Sequence, residues 1–402
     1  MRVMISCGEP SGDMYAGALA EALRARDPGV EIFGFGGPRL EAAGARLLGN
    51  FAGLSVTGLT EALRILPQSF RMLRRLVEAA REVKPDVFVP IDFPDFNFRL
   101  MASLRRLSVP IVYYISPQLW AWRPGRMATM KQHVDKVLVI FPFEEPIYRD
   151  ANVPVEFVGH PLVDLTHVSR SRASLLQEHG LDPCAPTVAL LPGSRRNELQ
   201  RIAPTMAEAL PLIAARVPGA QFVVAAAPNL ASDLFAPLAG PAEGGRHNDP
   251  GAPEGGRYEN DVALRRPAII HDQTDNILAA ADIAITASGT ATVQCALHEC
   301  PMVVVYRLSS LTYALGKPFV KVDTYAMANL VAGARVVPEL IQDDFTPERV
   351  ASEAIALLTD RARHEATRRA LGTVRHRLGE PGASDRAADA VLEVARRGAK
   401  PA

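Results

Sequence analysis

Short apolar runs of strand character alternate with longer helical patterns along this entire chain, and that rhythm leaves few folds open to it. The runs fall at residues 3–6, 31–35, 87–91, 111–115, 137–140 and 155–158 in the first half. In the second half they fall at 187–191, 221–225, 268–271, 283–286 and 302–306. Strands joined by crossover helices belong to parallel sheets. The rhythm breaks at Gly159-His160-Pro161 and the polar stretch to Arg172, which predicts a hinge between two doubly wound domains. The expectation is an α/β protein of two Rossmann-like domains facing a cleft, residues 1–165 and 166–345, with Arg-rich amphipathic helices over 346–402. Residues 240–257 are dense in Gly and Pro and read as a flexible surface insertion, not an active loop.

A chain of 402 residues is long enough for two such domains. Lys+Arg and Asp+Glu are equal at 44 each, so no global basic field points to nucleic acid. Cys7, Cys184, Cys295 and Cys300 are scattered and form no CxxC pair, which argues against a zinc site. Met1-Arg2-Val3-Met4-Ile5-Ser6 runs straight into a Gly/Ser loop without the features of a signal peptide. No uncharged apolar run approaches the ~18 residues of a membrane span. A cytoplasmic protein with reduced thiols is expected.

In doubly wound sheets ligands bind outside the carboxyl ends of the strands, so the loops after strands carry the functional signal. The richest is Ile283-Ala284-Ile285-Thr286-Ala287-Ser288-Gly289-Thr290-Ala291-Thr292, an apolar strand that ends in small residues and opens a helix. Exposed N–H groups and the positive end of the helix dipole suit a diphosphate there; a plain strand–turn–helix is the alternative. Leu190-Leu191-Pro192-Gly193-Ser194-Arg195 offers a second phosphate-facing turn, since Arg binds phosphate with two parallel hydrogen bonds. Gly8-Glu9-Pro10-Ser11-Gly12-Asp13 opens the first helix, with glycines for close approach and Ser11 and Asp13 able to cap it. It is neither GxGxxG nor a P-loop.

Pro90-Ile91-Asp92-Phe93-Pro94-Asp95-Phe96-Asn97 places two carboxylates at a strand end beside apolar residues. Such surroundings suit a general base, although Asp95 also fits as a plain cap of a helix over residues 96–107. Ser116-Pro117-Gln118-Leu119-Trp120-Ala121-Trp122-Arg123 holds both tryptophans, and with Arg126 it forms either a ligand-facing or a core-capping cluster. His160, beside Pro161, reads as structural more readily than as a base. Leu63, Leu66, Phe70, Leu73, Leu76 and Val77 form an apolar stripe rimmed by Arg64, Arg71, Arg74 and Arg75, with Pro67 expected to break or kink the helix. The stripe fits either a core-packing or a lipid-facing surface.

Taken in order, these segments, with Asn329-Leu330 and Ala332-Gly333, resemble the lipid-A-disaccharide synthase family over about residues 1–345. The resemblance implies a GT-B glycosyltransferase with an acceptor- and lipid-binding domain over 1–165 and a UDP-sugar-binding domain over 166–345. It implies inverting transfer of 2,3-diacylglucosamine from UDP to the 6-hydroxyl of 2,3-diacylglucosamine 1-phosphate, without metal or other cofactor. It further implies peripheral contact with the cytoplasmic face of the inner membrane, and a homodimer that exchanges C-terminal segments. By the same resemblance Asp95 is the favoured base, with Asp92 in reserve, and Arg195, Asn329 and the Ser288-Gly289-Thr290 turn hold UDP. Gly8, Glu9, Ser11, Gly12, Asp13, Trp122, Arg123, Gly193 and Ser194 complete the expected substrate-binding set. Where the family usually has Glu, this chain has Gln294, which keeps an acceptor oxygen but loses the charge. Two other functions fit parts of the pattern: a UDP-N-acetylglucosamine 2-epimerase-like enzyme, and a UDP-sugar- or lipid-binding protein without turnover.

Overall fold

The computed structural model describes residues 1–51, 59–119, 124–227, 230–239, 266–308 and 324–398, with side chains from residue 67 onward in the helix that begins at Leu59. Trp122, Arg123, the 240–257 insertion and the side chains of Leu63, Arg64 and Leu66 lie outside the described residues. The described residues form two compact units. One is Met1–Leu165 with the segment from His376 onward, and the other lies between Thr166 and Arg375.

The first unit runs β1 (Arg2–Cys7), α1 (Pro10–Arg26), β2 (Glu31–Gly36), α2 (Pro38–Ala42), β3 (Arg46–Asn50), α3 (Leu59–Val83), β4 (Val87–Ile91), α4 (Pro94–Arg105) and β5 (Val112–Tyr114). It continues with α5 (Met127–His133), β6 (Lys136–Val139), α6 (Glu144–Asp150), β7 (Val155–Phe157) and α7 (Leu162–Leu165). Its seven strands are parallel, in the order β3-β2-β1-β4-β5-β6-β7.

The second unit runs α8 (Arg172–Glu178), β8 (Thr187–Leu191), α9 (Arg196–Arg216), β9 (Gln221–Ala226), β10 (Ala268–His271), α10 (Thr274–Ala280), β11 (Ile283–Ala287), α11 (Thr290–Leu297) and β12 (Met302–Tyr306). After α12 (Met327–Ala332), β13 (Glu339–Ile341) and α13 (Pro347–Thr359), α14 (Arg361–Arg377) leads toward α15 (Ala383–Arg397). Its six strands are also parallel, ordered β10-β9-β8-β11-β12-β13. Both sheets reverse strand order once, between β1 and β4 and between β8 and β11. Register puts Cys7 beside Ile91 and Leu191 beside Thr286, so the turns after those four strands are neighbours in pairs.

The central strands are buried from end to end because helices cover both faces of each sheet. One core gathers Met4, Phe35, Phe88, Leu100 and Tyr113; the other gathers Leu190, Ile202, Phe222, Ile285 and Val303. Each fully buried large apolar side chain contributes about 1.5–3 kcal/mol. Helix α3 continues through Pro67, against the break expected there. On it Leu76 is buried, and Leu73 and Val77 pack partly against the first core, whereas Phe70 is 53% exposed. The described part of the apolar stripe is therefore split, with Leu76 turned into the core and Phe70 turned outward.

Helix α15 packs on α1 of its own chain. Arg26 bonds Asp385 at 2.6 Å and also pairs with Asp389. The Asp164 carboxylate caps α15, accepting from the N–H groups of Gly382 at 2.7 Å and Ala383 at 2.9 Å.

Candidate active site

At the end of β4 the chain takes two successive left-handed residues that are not glycine, Asp92 (φ 43°) and Phe93 (φ 50°). Each such residue costs on the order of 1–3 kcal/mol, and surrounding contacts must hold it. Here the Asp92 carbonyl accepts from the Asn97 side-chain amide and the Tyr113 hydroxyl, each at 2.8 Å. The Phe93 ring stacks with Phe96 at 5.3 Å and Phe35 at 6.3 Å, and lies where a methyl group on residue 8 would overlap it. Gly8 thus locks the turn after β1 to the turn after β4, and Glu9 and Ser11, both half-exposed, follow it.

That turn starts α4 at Pro94, so Phe93 and not Asp95 occupies the cap position. Proline favours the first helical position, which moves the start two residues earlier than expected. Asp95 lies in the first turn, and the apolar surroundings expected for it are absent, because Phe93 and Phe96 turn inward to Phe35. Its side chain is 67% exposed and paired with Arg126, whose guanidinium sits 4.9 Å from the Phe98 ring centre. Asp92 is half-buried.

Asp13 departs from its expected role. It is buried, and its carboxylate accepts from the N–H groups of Gly37 (2.8 Å), Arg39 (2.9 Å) and Leu40 (3.1 Å). It therefore caps α2, not its own helix, and its oxygens are committed to backbone. Gly12 is buried with its Cα side against Cys7 and Ile91. His160 is buried between Tyr15 and Phe141, with Nδ1 accepting from the Leu162 N–H at 3.1 Å. Burial lowers its pKa to about 3, so the ring is neutral and structural.

In the second unit the turn after β8 is shaped by Glu198, whose carboxylate accepts from the Ser194 N–H at 3.3 Å and from Arg195 Nη1 at 2.8 Å. Gly193 has φ 122°, and a Cβ there would lie 2.8 Å from that carboxylate. Arg195 is 46% exposed. In the neighbouring turn Gly289 (φ 142°) and Thr290 are exposed at the start of α11, and the Ser288 hydroxyl donates to the Tyr325 carbonyl at 3.0 Å. Gln294 donates to Asp275 at 3.4 Å, and the same oxygen lies 3.1 Å from His298 Nε2. A carboxylate is therefore beside Gln294 although the residue itself is neutral.

Asn329 is not placed as a free ligand. It is buried, its oxygen accepts from the Val336 and Val337 N–H groups, and its nitrogen donates to the Val337 carbonyl and to Glu339 at 2.7 Å. Glu339 also accepts from the N–H groups of Tyr325 and Ala326. Glu339, Asp275 and Tyr113 were not legible as site residues, since each acts through a partner that only the fold brings near, whereas Glu198 and Asn97 bond residues three to five positions before them, a spacing that could have signalled their role.

The first unit thus presents an exposed carboxylate at its switch point, and the second presents two glycine turns at helix starts, one carrying an exposed arginine. Two Rossmann-like units of this kind define a protein of the GT-B fold class. The family model described as lipid-A-disaccharide synthetase matches residues 3–238 and 260–394. The lipid-A-disaccharide synthase of Myxococcus xanthus is 42% identical over 393 residues, covering 98% of this chain and 97% of that protein. That of Geobacter sulfurreducens is 41% identical over 397 residues, with 98% and 97% covered. The chain belongs to the lipid-A-disaccharide synthase family, and it is a glycosyltransferase of lipid A biosynthesis. Solved structures share the fold at low identity. The UDP-GlcNAc 2-epimerase of Neisseria meningitidis bound to UDP-GlcNAc has a TM-score of 0.65 at 11% identity, covering 98% of this chain and 100% of that one. The calicheamicin glycosyltransferase CalG4 has a TM-score of 0.60 at 16% identity, covering 98% of each. Likeness to the epimerase is one of fold alone.

Proposed function

We propose that this enzyme transfers 2,3-diacylglucosamine from UDP to the 6-hydroxyl of 2,3-diacylglucosamine 1-phosphate with inversion, releasing UDP. The hydroxyl oxygen attacks the anomeric carbon as its bond to the UDP oxygen breaks, and the hydroxyl proton passes to a carboxylate. Asp95 is the base, because it is the exposed carboxylate of the pair; Asp92 is the reserve. The Gly193-Ser194-Arg195 and Ser288-Gly289-Thr290 turns take up the charge that develops on the leaving diphosphate through N–H groups and the Arg195 guanidinium. Gln294, backed by Asp275, faces the ribose. Asn329 and Asp13 shape the turns instead of touching substrate, and Glu9, Ser11, Trp122 and Arg123 contact the sugars. No metal is invoked in these steps.

Lipid contact is assigned to the outer face of α3, where Phe70, with the partly buried Leu73 and Val77, lines a groove of 490 Å³ rimmed by Arg71, Arg74, Glu78 and Arg81. Among the described residues no helix is long and apolar enough to cross a membrane, and peripheral contact with the cytoplasmic face of the inner membrane fits such a rim. A homodimer would make the contacts between α15 and α1 from a partner copy.

The observation that carries the reading is the exposed Asp95 carboxylate at the switch point of a chain belonging to this family. Incubation with UDP-2,3-diacylglucosamine and 2,3-diacylglucosamine 1-phosphate, followed by mass spectrometry, should show the disaccharide 1-phosphate and free UDP. UDP release without the acceptor, or binding without product, would overturn it.

A further inference from the structure

We propose that Asp275 is a positioning residue for the nucleotide: it turns the Gln294 amide so that the carbonyl oxygen accepts from a ribose hydroxyl, and it demands a neutral side chain at position 294. The inference rests on Gln294 facing the ribose. Gln294 and His298 stand four residues apart, at the middle and the end of α11, and that spacing brings both to one side of the helix. On that side lies Asp275, in the first turn of α10. Its Oδ1 takes Gln294 Nε2 at 3.4 Å and His298 Nε2 at 3.1 Å. Its Oδ2 accepts from the His167 N–H at 3.3 Å. The neighbouring Asn276 is buried and accepts from the N–H groups of Ser169 at 2.9 Å and Arg170 at 3.1 Å, so the start of α10 is tied down beside the carboxylate. The Asp275 side chain is 22% exposed and that of His298 6%, which limits screening by water.

An ionised carboxylate only accepts hydrogen bonds, so both partners of Oδ1 must give it a hydrogen. His298 does so from Nε2. Gln294 can do so only from its amide nitrogen, and that fixes which way the amide faces. The nitrogen is spent on Asp275, and the carbonyl oxygen is left to accept. A ribose hydroxyl is a donor of the kind such an oxygen takes. Without the carboxylate the amide is free to turn over and offer its nitrogen instead, at the cost of the hydroxyl bond. The same contact explains the residue type. A Glu side chain at position 294 would set a second negative charge where Asp275 now receives a hydrogen, and two carboxylates at that distance repel. Asp275 and the residue at 294 therefore act as one unit, and either can be exchanged only together with the other.

The test is calorimetric titration of the full chain with UDP and with 2′,3′-dideoxy-UDP, which lacks both ribose hydroxyls. The proteins are the wild type, Gln294→Ala, Gln294→Glu, Asp275→Asn, and the double variant of Gln294→Glu with Asp275→Asn. Gln294→Glu should weaken UDP binding about 10-fold, the scale of a charged hydrogen bond. The double variant should recover to within about 3-fold of the wild type, because the amide introduced at position 275 donates to the new carboxylate. Asp275→Asn alone should weaken UDP by about 3–10-fold and leave the dideoxy nucleotide unaffected. Equal losses on the two nucleotides would make Asp275 a purely structural residue and overturn the proposal. UDP binding by Gln294→Glu at wild-type strength, or losses that simply multiply in the double variant, overturn it as well. If Gln294→Glu alone does not fold, recovery of folding and UDP binding in the double variant is the expected result, and no recovery overturns the proposal. Wild-type UDP affinity in Gln294→Ala removes the ribose reading itself, and the role of Asp275 with it. A weakened Gln294→Ala beside independent losses in the double variant removes only the role of Asp275.

Discussion

The side-chain nitrogen of Asn97 lies 2.8 Å from the carbonyl oxygen of Asp92, and through it α4 holds the turn that starts α4. The same nitrogen is 3.3 Å from the Ser6 carbonyl, so the ends of β1 and β4 share one anchor. The turn it stabilises leaves Asp95 exposed and Phe93 packed, partly buried, against Gly8, which ties the position of the carboxylate to the packing of the sheet.

Asp95→Asn should reduce turnover by roughly 10²–10⁴-fold, the usual contribution of a positioned base. UDP affinity should stay close to that of the wild type, since the turns proposed to hold UDP belong to the other unit. Steady-state kinetics with calorimetry on the same variant checks both halves. Normal turnover would transfer the role to Asp92.

Arg195→Ala should weaken UDP binding by about 1.5–3 kcal/mol. The pair with Glu198 holds the guanidinium at the exposed mouth of the β8 turn, where a diphosphate can displace the carboxylate. Calorimetric titration with UDP measures the loss, and an unchanged dissociation constant contradicts the assignment.

Asn329→Ala should lower stability by roughly 2–4 kcal/mol, because it strands the Val336 and Val337 N–H groups and removes one donor from Glu339. Glu339→Gln should weaken the same network, and the two changes together should cost less than their sum. Urea unfolding of the single and double variants measures this. Full stability with weakened UDP binding would show instead that Asn329 touches the nucleotide.

The fold was legible because burial on both faces makes a central strand an unbroken apolar run. Every run read from the sequence is a strand in the structure. The two strands missed, β3 and β13, are both at sheet edges; β3 exposes its ends, and β13 has three residues, so neither carries the apolar signal. The turns of the site were legible from their Gly, Pro and Ser residues. Their partners were not: Asp13 meets Gly37 and Asp95 meets Arg126 only after the sheet has formed. Local sequence records where the chain turns, while tertiary contact decides which side chains remain for substrate.

Acid should destabilise the enzyme through His160. Its folded pKa is about 3 against an ordinary 6.5, so below pH 6.5 the unfolded chain binds a proton that the folded chain refuses. The stability contributed by the neutral ring is fully present above pH 6.5 and declines by up to about 1.4 kcal/mol per pH unit between 6.5 and 3. His160→Gln cannot titrate, so its stability should fall less steeply over that window in urea titrations at stepped pH. Parallel curves for the two proteins would contradict the account.

The last prediction separates the two faces of α3 that Leu76 and Phe70 occupy. Leu76 is fully buried, so Leu76→Ala should cost about 2–5 kcal/mol in stability. Phe70 is 53% exposed, with Arg99 5.3 Å from its ring centre, so Phe70→Ser should change stability by no more than about 0.5 kcal/mol. If the Phe70 face meets acyl chains or a bilayer, Phe70→Ser should lower co-sedimentation with anionic vesicles and raise the KM for the acylated acceptor. UDP binding should be untouched. Thermal melting and vesicle sedimentation on the two variants decide between the readings, because a packing face responds in melting and a lipid face in sedimentation. Unchanged sedimentation with a large drop in melting temperature for Phe70→Ser would return the whole stripe to the core.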